Sequence, residues 1–271
     1  MLAETRRRAL LDLIARRGFA TLDELSRSLG VSESTVRRDL EALDQAGQIR
    51  RTHGGAVSPA ELRGMPAFDD RAGAQAAEKR ALGETAAALV DDGETVLLDG
   101  GTTAWEVAKA LAGRPVQVVT NSLPIAQLVA ASKETELILI GGYVYPRTGV
   151  AMGPLALATM QGIRARKSIM GAGGVVAEGV YNSNSLLVET QREMMRCGQE
   201  AILVADRTKF GRSSLTKLCG LDEIDALVSD PGLPDEYRDV LERAGVRLHI
   251  PGEPGIVNGQ GRPAGARVEA P

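Results

Sequence analysis

The stretch from Val31 to Ala56, VSESTVRRDLEALDQAGQIRRTHGGA, limits what this chain can fold into more than any other. Ser32 is a short polar residue placed to cap a helix, after which Val36, Leu40 and Leu43 fall on one face. At about 100° per residue, Ser34 and Arg38 lie almost opposite that apolar face, with Arg37 and Glu41 flanking them. Gly47 then turns the chain, and Gln48–His53 is short enough to be a wing strand with Ile49 inward and its arginines outward. A Gly-Gly pair stops it.

The residues before this stretch build the rest of a small module. Leu10, Leu13 and Ile14 make an i, i+3, i+4 stripe on a first helix that ends near Gly18, with Arg6, Arg7 and Arg17 on its polar face. Thr21-Leu22-Asp23-Glu24 is a capping box, Leu22, Leu25 and Leu29 continue the stripe, and Gly30 stops a short second helix. A short helix, a tight turn and a helix exposing hydroxyls and guanidiniums make the helix-turn-helix arrangement. Its chemistry suits the DNA major groove, because arginine pairs bidentately with guanine and a hydroxyl accepts either kind of partner. Ser32, Ser34, Thr35, Arg37 and Arg38 are the candidate contacts of the helix, and Arg50, Arg51 and His53 those of the wing to the backbone. An arginine-rich amphipathic helix can also be merely solvated. Here the caps, the stripes and the wing agree on one arrangement.

These residues resemble the signature of the DeoR family of bacterial transcription regulators. In that family the VS-x-x-TVRRDL segment is the recognition helix and R-x-HGGA closes the winged domain.

Net charge is −3 overall, yet residues 1–58 carry a balance of +2 and the remainder −5. A mildly basic small domain on an acidic larger one is compatible with nucleic-acid binding, which depends on where the charge sits. Arg6-Arg7-Arg8 at the start leaves no secretory apolar segment, and no apolar run approaches a bilayer span, so a cytoplasmic chain with no membrane partner is expected. Cys197 and Cys219 supply neither a disulfide framework nor a four-ligand metal site; packing is their expected role, with a redox pair as the alternative. No cofactor or metal is expected.

The winged helix-turn-helix domain is expected over residues 1–57 and an interdomain linker over 58–76, where prolines and glycines interrupt any periodicity. Residues 77–250 read as an α/β domain. Short β-branched runs at 95–98, 116–120, 136–140, 167–170, 201–205, 226–229 and 246–249 alternate for the most part with helical stretches, which argues for a parallel sheet covered on both faces. Residues 251–271, rich in Gly and Pro, are expected to form a disordered tail.

Three polar segments follow strands, where open α/β sheets bind ligands. Asp99-Gly100-Gly101-Thr102-Thr103 precedes a helix and reads as an anion cradle, or else as an ordinary strand–helix turn. Asn121 and Ser122 follow the next strand. Asp206 and Lys209 sit just past a later one, Lys209 being a natural phosphate partner or a solvated loop lysine. Met170–Val175 holds a partial G-x-G with Val176 where a third Gly would be needed, and reads as a close-packed turn rather than a nucleotide fingerprint.

These segments are similar to the DeoR effector domain, and the resemblance extends to about residue 250. It implies a Rossmann-like sensor fold of the ribose-5-phosphate isomerase/CoA-transferase type and a phosphorylated sugar or related metabolite as effector. The cradle would hold phosphate and Asn121, Asp206 and Lys209 polar groups of the ligand; the Ile140-Gly141-Gly142 turn would line the pocket, and Arg147 is a looser candidate for a second phosphate contact. A ligand-controlled repressor of a carbohydrate-metabolism operon, working as a homo-oligomer (dimer or tetramer) on double-stranded DNA, is the leading reading. A sugar-phosphate isomerase carrying a DNA-binding appendage is the alternative. Against it, the Gly-rich loop at 170–175 has no carboxylate, and the chain's two histidines, His53 and His249, stand apart from the pocket segments in sequence. A dinucleotide-sensing regulator is limited by the broken fingerprint.

Overall fold

The computed structural model describes residues 2–17, 19–52, 55–57 and 68–253. The expected tail from residue 254 onward, most of the expected linker, and His53 lie outside the described residues.

In the N-terminal module, α1 (Ala3–Arg17), α2 (Leu22–Leu29) and α3 (Glu33–Gln45) pack around a core that includes Leu10, Ile14, Leu25, Val36 and Leu40. The sequence signals act as read. Thr21 and Glu24 form the capping box of α2, Gly30 ends it at φ 62, and the Ser32 side chain accepts from Thr35 N–H at the start of α3. Two strands had no sequence signal strong enough to expect them. β3 (Gly55–Val57) lies between β1 (Phe19–Thr21) and the wing strand β2 (Arg50–Thr52), pairing antiparallel with both in a sheet ordered β1-β3-β2. Three residues are too few to display alternation. Arg6 and Arg7, on the polar face of α1, both donate to Asp39, whose side chain is 3% exposed, at 2.5 and 3.1 Å. They pin α1 to α3.

The larger domain is built on seven parallel strands: β4 (Thr95–Leu98), β5 (Gln117–Thr120), β6 (Glu136–Leu139), β9 (Ala165–Gly171), β12 (Gly198–Val204), β14 (Ala226–Val228) and β15 (Arg247–His249), in the order β15-β14-β12-β9-β4-β5-β6. Every β-branched run read from the sequence is one of these. Alternate residues serve opposite faces. Leu97, Val119, Met170, Leu203 and Leu227 pack under α8 (Pro154–Met160), α9 (Ser185–Cys197) and α10 (Asp235–Arg243). Val96, Leu98, Val118, Ile169 and Ile202 pack under α5 (Ala76–Ala87), α6 (Thr102–Leu111) and α7 (Leu123–Ala130).

Additions to this sheet escaped the sequence reading. A hairpin, β7 (Tyr143–Tyr145) and β8 (Val150–Met152), joins β6 to α8, and β10 (Gly174–Val176), β11 (Gly179–Asn182) and β13 (Thr216–Cys219) form an antiparallel sheet. The end of the expected linker also carries structure. α4 (Phe68–Ala72) sets Phe68 edge-on against Trp105, ring centroids 6.1 Å apart, and Phe68 N–H donates to Arg147 O at 2.8 Å. Pro and Gly upstream masked this short helix, which tertiary contacts hold rather than periodicity. No helix among the described residues is long and apolar enough to cross a membrane.

Strand order reverses beside β4: the chain proceeds outward through β5 and β6, then returns to place β9 on the other side of β4. Such a reversal leaves a crevice beyond the carboxyl ends of the strands.

Candidate effector cavity and DNA-binding face

A cavity of about 680 Å³ lies in that crevice, lined from the ends of β4, β9 and β12. Asp99 through Thr103 form one wall, as read from the sequence, and Asp206 and Lys209 another. Gly101 stands at the cap position of α6 with φ 151, a conformation open to glycine and strained for other residues. No side chain caps this helix, whose first residues, Thr102 and Thr103, line the cavity, leaving its first N–H groups without a side-chain partner there.

Asp99 is 1% exposed. One carboxylate oxygen, Oδ2, accepts from Gln191 Nε2 at 2.7 Å, while Oδ1 has no hydrogen-bond partner. Burial pushes its pKa up to about 7, against the lowering pull of Gln191, the Gly100 and Gly171 amides and the Arg71 charge. Asp206 is equally buried, but its Oδ1 accepts from the Thr208 amide at 3.0 Å and from the Thr208 hydroxyl, closing its own loop.

Four other predicted residues stand outside the lining. Asn121 is fully buried and donates through Nδ2 to Ala151 O at 3.0 Å, and Ser122 caps α7 by accepting from Ile125 N–H. Their strand end faces the β7–β8 hairpin, which covers it. Gly142 has φ 152, and a side chain there would meet Met152 O at 2.9 Å, so it serves close packing. Arg147 is exposed in the β7–β8 turn and is not among the lining residues.

Conversely, the cavity recruits residues that sequence reading missed. Arg71, Lys79 and Arg212 bring the cationic side chains in the lining to four, against two acidic ones. Lys79 is 7% exposed and donates to Arg71 O and Ala74 O at 2.5 and 2.6 Å; desolvation chiefly lowers its pKa, with Lys209 and Arg71 adding to that. Desolvation also lowers the pKa of Arg71, and Asp99 opposes it. Gln191 lies in mid-helix, donates also to Gly171 O at 3.1 Å and accepts from Asn182 Nδ2 at 3.2 Å. The only local signal for it was a polar residue on the buried face of an amphipathic helix. The Gly171–Gly173 turn, read as mere packing, lines the cavity as well.

On the N-terminal module, Ser34, Arg37, Arg38, Arg50 and Arg51 are all exposed. Arg37 pairs with Glu33 at 3.0 Å, and Arg51 lies 3.9 Å from Glu41. Ser32 Oγ lies 2.9 Å from both Ser34 Oγ and Thr35 Oγ1, so the cap organises the hydroxyls at the helix tip. Arg38 makes no ion pair among the described residues and projects opposite Val36 and Leu40.

Comparison with known proteins bears on both regions. The family model for the DeoR-like helix-turn-helix domain matches residues 6–61, and that for the DeoR C terminal sensor domain matches residues 74–231. The HTH-type transcriptional repressor CsqR of Escherichia coli is 32% identical over 248 residues, covering 90% of this chain and 94% of that protein. HTH-type transcriptional repressor GlcR of Bacillus subtilis is 30% identical over 251 residues, or 92% and 97% of the two chains. The glycerol-3-phosphate regulon repressor of Escherichia coli is 30% identical over 247 residues, or 90% and 98%. Among solved structures, ribose 5 phosphate isomerase A from Neisseria gonorrhoeae is similar over 51% of this chain and 54% of that one, with a TM-score of 0.36 and 18% identity. The full-length relatives are repressors rather than enzymes, which sets aside the isomerase alternative. A winged helix-turn-helix module joined to a parallel-sheet sensor domain, matched across nearly its whole length, makes this chain a member of the DeoR family of transcriptional regulators.

Proposed function

We propose that this chain represses a carbohydrate-metabolism operon and that a phosphorylated sugar or related anionic metabolite, bound at the crevice between β4 and β9, controls it. One observation carries the ligand class: four cationic side chains and an uncapped helix N-terminus converge on a cavity with only two acids, one of them Asp99 with its raised pKa. Phosphate is the natural counterpart of such a site. The names of the relatives, a glycerol-3-phosphate regulon repressor among them, support the same class. The ligand acts by the difference in its affinity for two arrangements of the protein.

A panel of hexose and polyol phosphates screened by thermal shift tests this reading. A ligand at a hundred times its Kd stabilises by about 2.7 kcal/mol, raising the sensor domain's midpoint by about 5–10 °C. Lys209→Ala removes that shift and leaves DNA binding without ligand intact. A panel that moves no midpoint sinks the assignment.

For the DNA face, Arg38→Ala costs about 1–3 kcal/mol of operator affinity and relaxes preference at the contacted base pair. Arg51→Ala weakens all sequences alike and lowers the salt slope by about one. Equal behaviour of the two variants in a salt-dependent binding assay would remove the distinction between base reading and backbone grip.

The working unit is a homo-oligomer, since one winged module makes few base contacts and symmetry multiplies them. Edge strand β6 exposes Ile138 and Leu139 at 39% and 45% beside unpaired backbone. Exposed apolar edges pair with other chains, and lysine there prevents it. The double variant Ile138→Lys, Leu139→Lys sediments as a monomer if this edge is the interface, and as the parent oligomer if it is not.

A further inference from the structure

We propose that Arg71 receives the anionic ligand directly, so that the segment leading in from the DNA-binding module is itself part of the effector site. The inference rests on the reading of the cavity as an anion site and adds the route by which occupancy reaches the DNA-binding half.

Arg71 sits on α4, in the first described stretch after β3, and lines the cavity. Its Nε and Nη2 are buried and have no hydrogen-bond partner among the described residues. Buried donors without acceptors are costly, and more so when charged. They are retained where a ligand completes them. These two nitrogens lie on the edge of the guanidinium that matches two phosphate oxygens at once. Across the cavity, Asp99 acts on Arg71 by charge but makes no hydrogen bond to it, and its raised pKa makes it a poor permanent counterion.

Around this unsatisfied group the backbone is held firmly. Lys79 spends two of its donors on Arg71 O and Ala74 O. Its role is therefore that of a clasp on the segment more than a ligand. Phe68 anchors the start through Trp105 and the Arg147 carbonyl. Gln75 closes the segment in the left-handed region at φ 54, the only described non-glycine residue with positive φ. Such a conformation is strained and persists only where surroundings over-determine it. A phosphate bridging Arg71 to the α6 N-terminus and Lys209 ties α4 to the end of the sheet. Its loss frees the guanidinium and loosens α4.

The test uses the full chain and inorganic phosphate, with binding followed by calorimetry and amide hydrogen exchange read over residues 68–79. In the parent, phosphate slows exchange in this segment. Arg71→Ala binds phosphate at least tenfold more weakly and shows no slowing. Arg71→Lys, which keeps the charge without the fork, falls between and serves as the folded control. Lys209→Ala also binds weakly, yet at saturating phosphate it keeps the slowing. If Lys209→Ala loses affinity while Arg71→Ala matches the parent, the cavity binds anions but the segment plays no part, and this inference alone fails. If the parent binds neither inorganic phosphate nor any hexose phosphate, the anion site itself is wrong.

Discussion

Asp99→Asn raises the unfolding midpoint at pH 8 far more than at pH 5. The carboxyl gives up its proton near pH 4 in the unfolded chain and at about 7 in the folded one. Between those values the folded state binds more protons, so stability is fully present below about pH 4 and is lost as pH rises through 7. About three units correspond to about 4 kcal/mol, most of it developing between pH 5 and pH 8. Asparagine keeps an acceptor for Gln191 and cannot ionise, so it removes the penalty. Denaturant titrations of parent and variant across this pH range measure the gap directly. A gap that stays constant would mean that Asp99 is ionised in the folded protein throughout. The same substitution bears on the ligand. At pH 8 the parent carries a negative charge inside the proposed anion site and the variant does not, so phosphate binding favours the variant there and scarcely distinguishes the two at pH 5.

The second large effect is expected at Asp39. This residue joins α3 to α1 through Arg6 and Arg7, with its own side chain 3% exposed and that of Arg6 15% exposed. Removing one partner of a buried ion pair strands the other charge, at a cost of about 3–5 kcal/mol. In a module of fewer than 60 residues that is most of the available stability. Asp39→Ala therefore melts the winged module below the sensor domain and abolishes DNA binding, while hexose-phosphate thermal shifts of the sensor domain persist. Differential scanning calorimetry that finds the two transitions unmoved would show that the ion pair contributes nothing. Arg6→Met combined with Asp39→Leu regains part of the loss, because a well-packed apolar pair avoids the desolvation that the ions suffer. The double variant also separates a structural role for Arg6 from a role at DNA, since it has no guanidinium to offer a phosphate.

The parts that were legible in sequence share one property: their cause is local. Thr21 with Glu24, Gly30, Ser32 and the spacing of Val36, Leu40 and Leu43 act within one or two helical turns, and the structure shows each acting so. The inner strands of the large sheet were legible for the same reason, since β4, β5, β9, β12 and β14 are buried over most of their length and have little polar alternation to confuse them; edge strand β6 is largely exposed and was legible from its short apolar run alone. The three-residue strands were not. Tyr143–Tyr145 and Val150–Met152 exist because they pair with each other, which no window of sequence displays.

The cavity divides along the same line. Its DGGTT wall follows from a strand, two glycines and a helix start that are contiguous in the chain. Its other walls follow from which strands became neighbours. Asn121 and Ser122 also follow a strand, yet β5 lies on the side of β4 that the β7–β8 hairpin covers, and they became buried packing. Gln191 reaches Asp99 across 92 residues because β9 returned to pair with β4 and brought α9 over it. Arg71 and Lys79 meet the cavity because α4 folds back against α6. The sequence by itself determined the winged module, the parallel sheet and the Gly-Gly-Thr-Thr wall of the cavity, since caps, periodicity and turn glycines act over short range. Strand order and the contacts across it belong to the tertiary structure, which alone decided that Asp99 is buried enough for its pKa to rise to about 7 and that Arg71 shares its cavity.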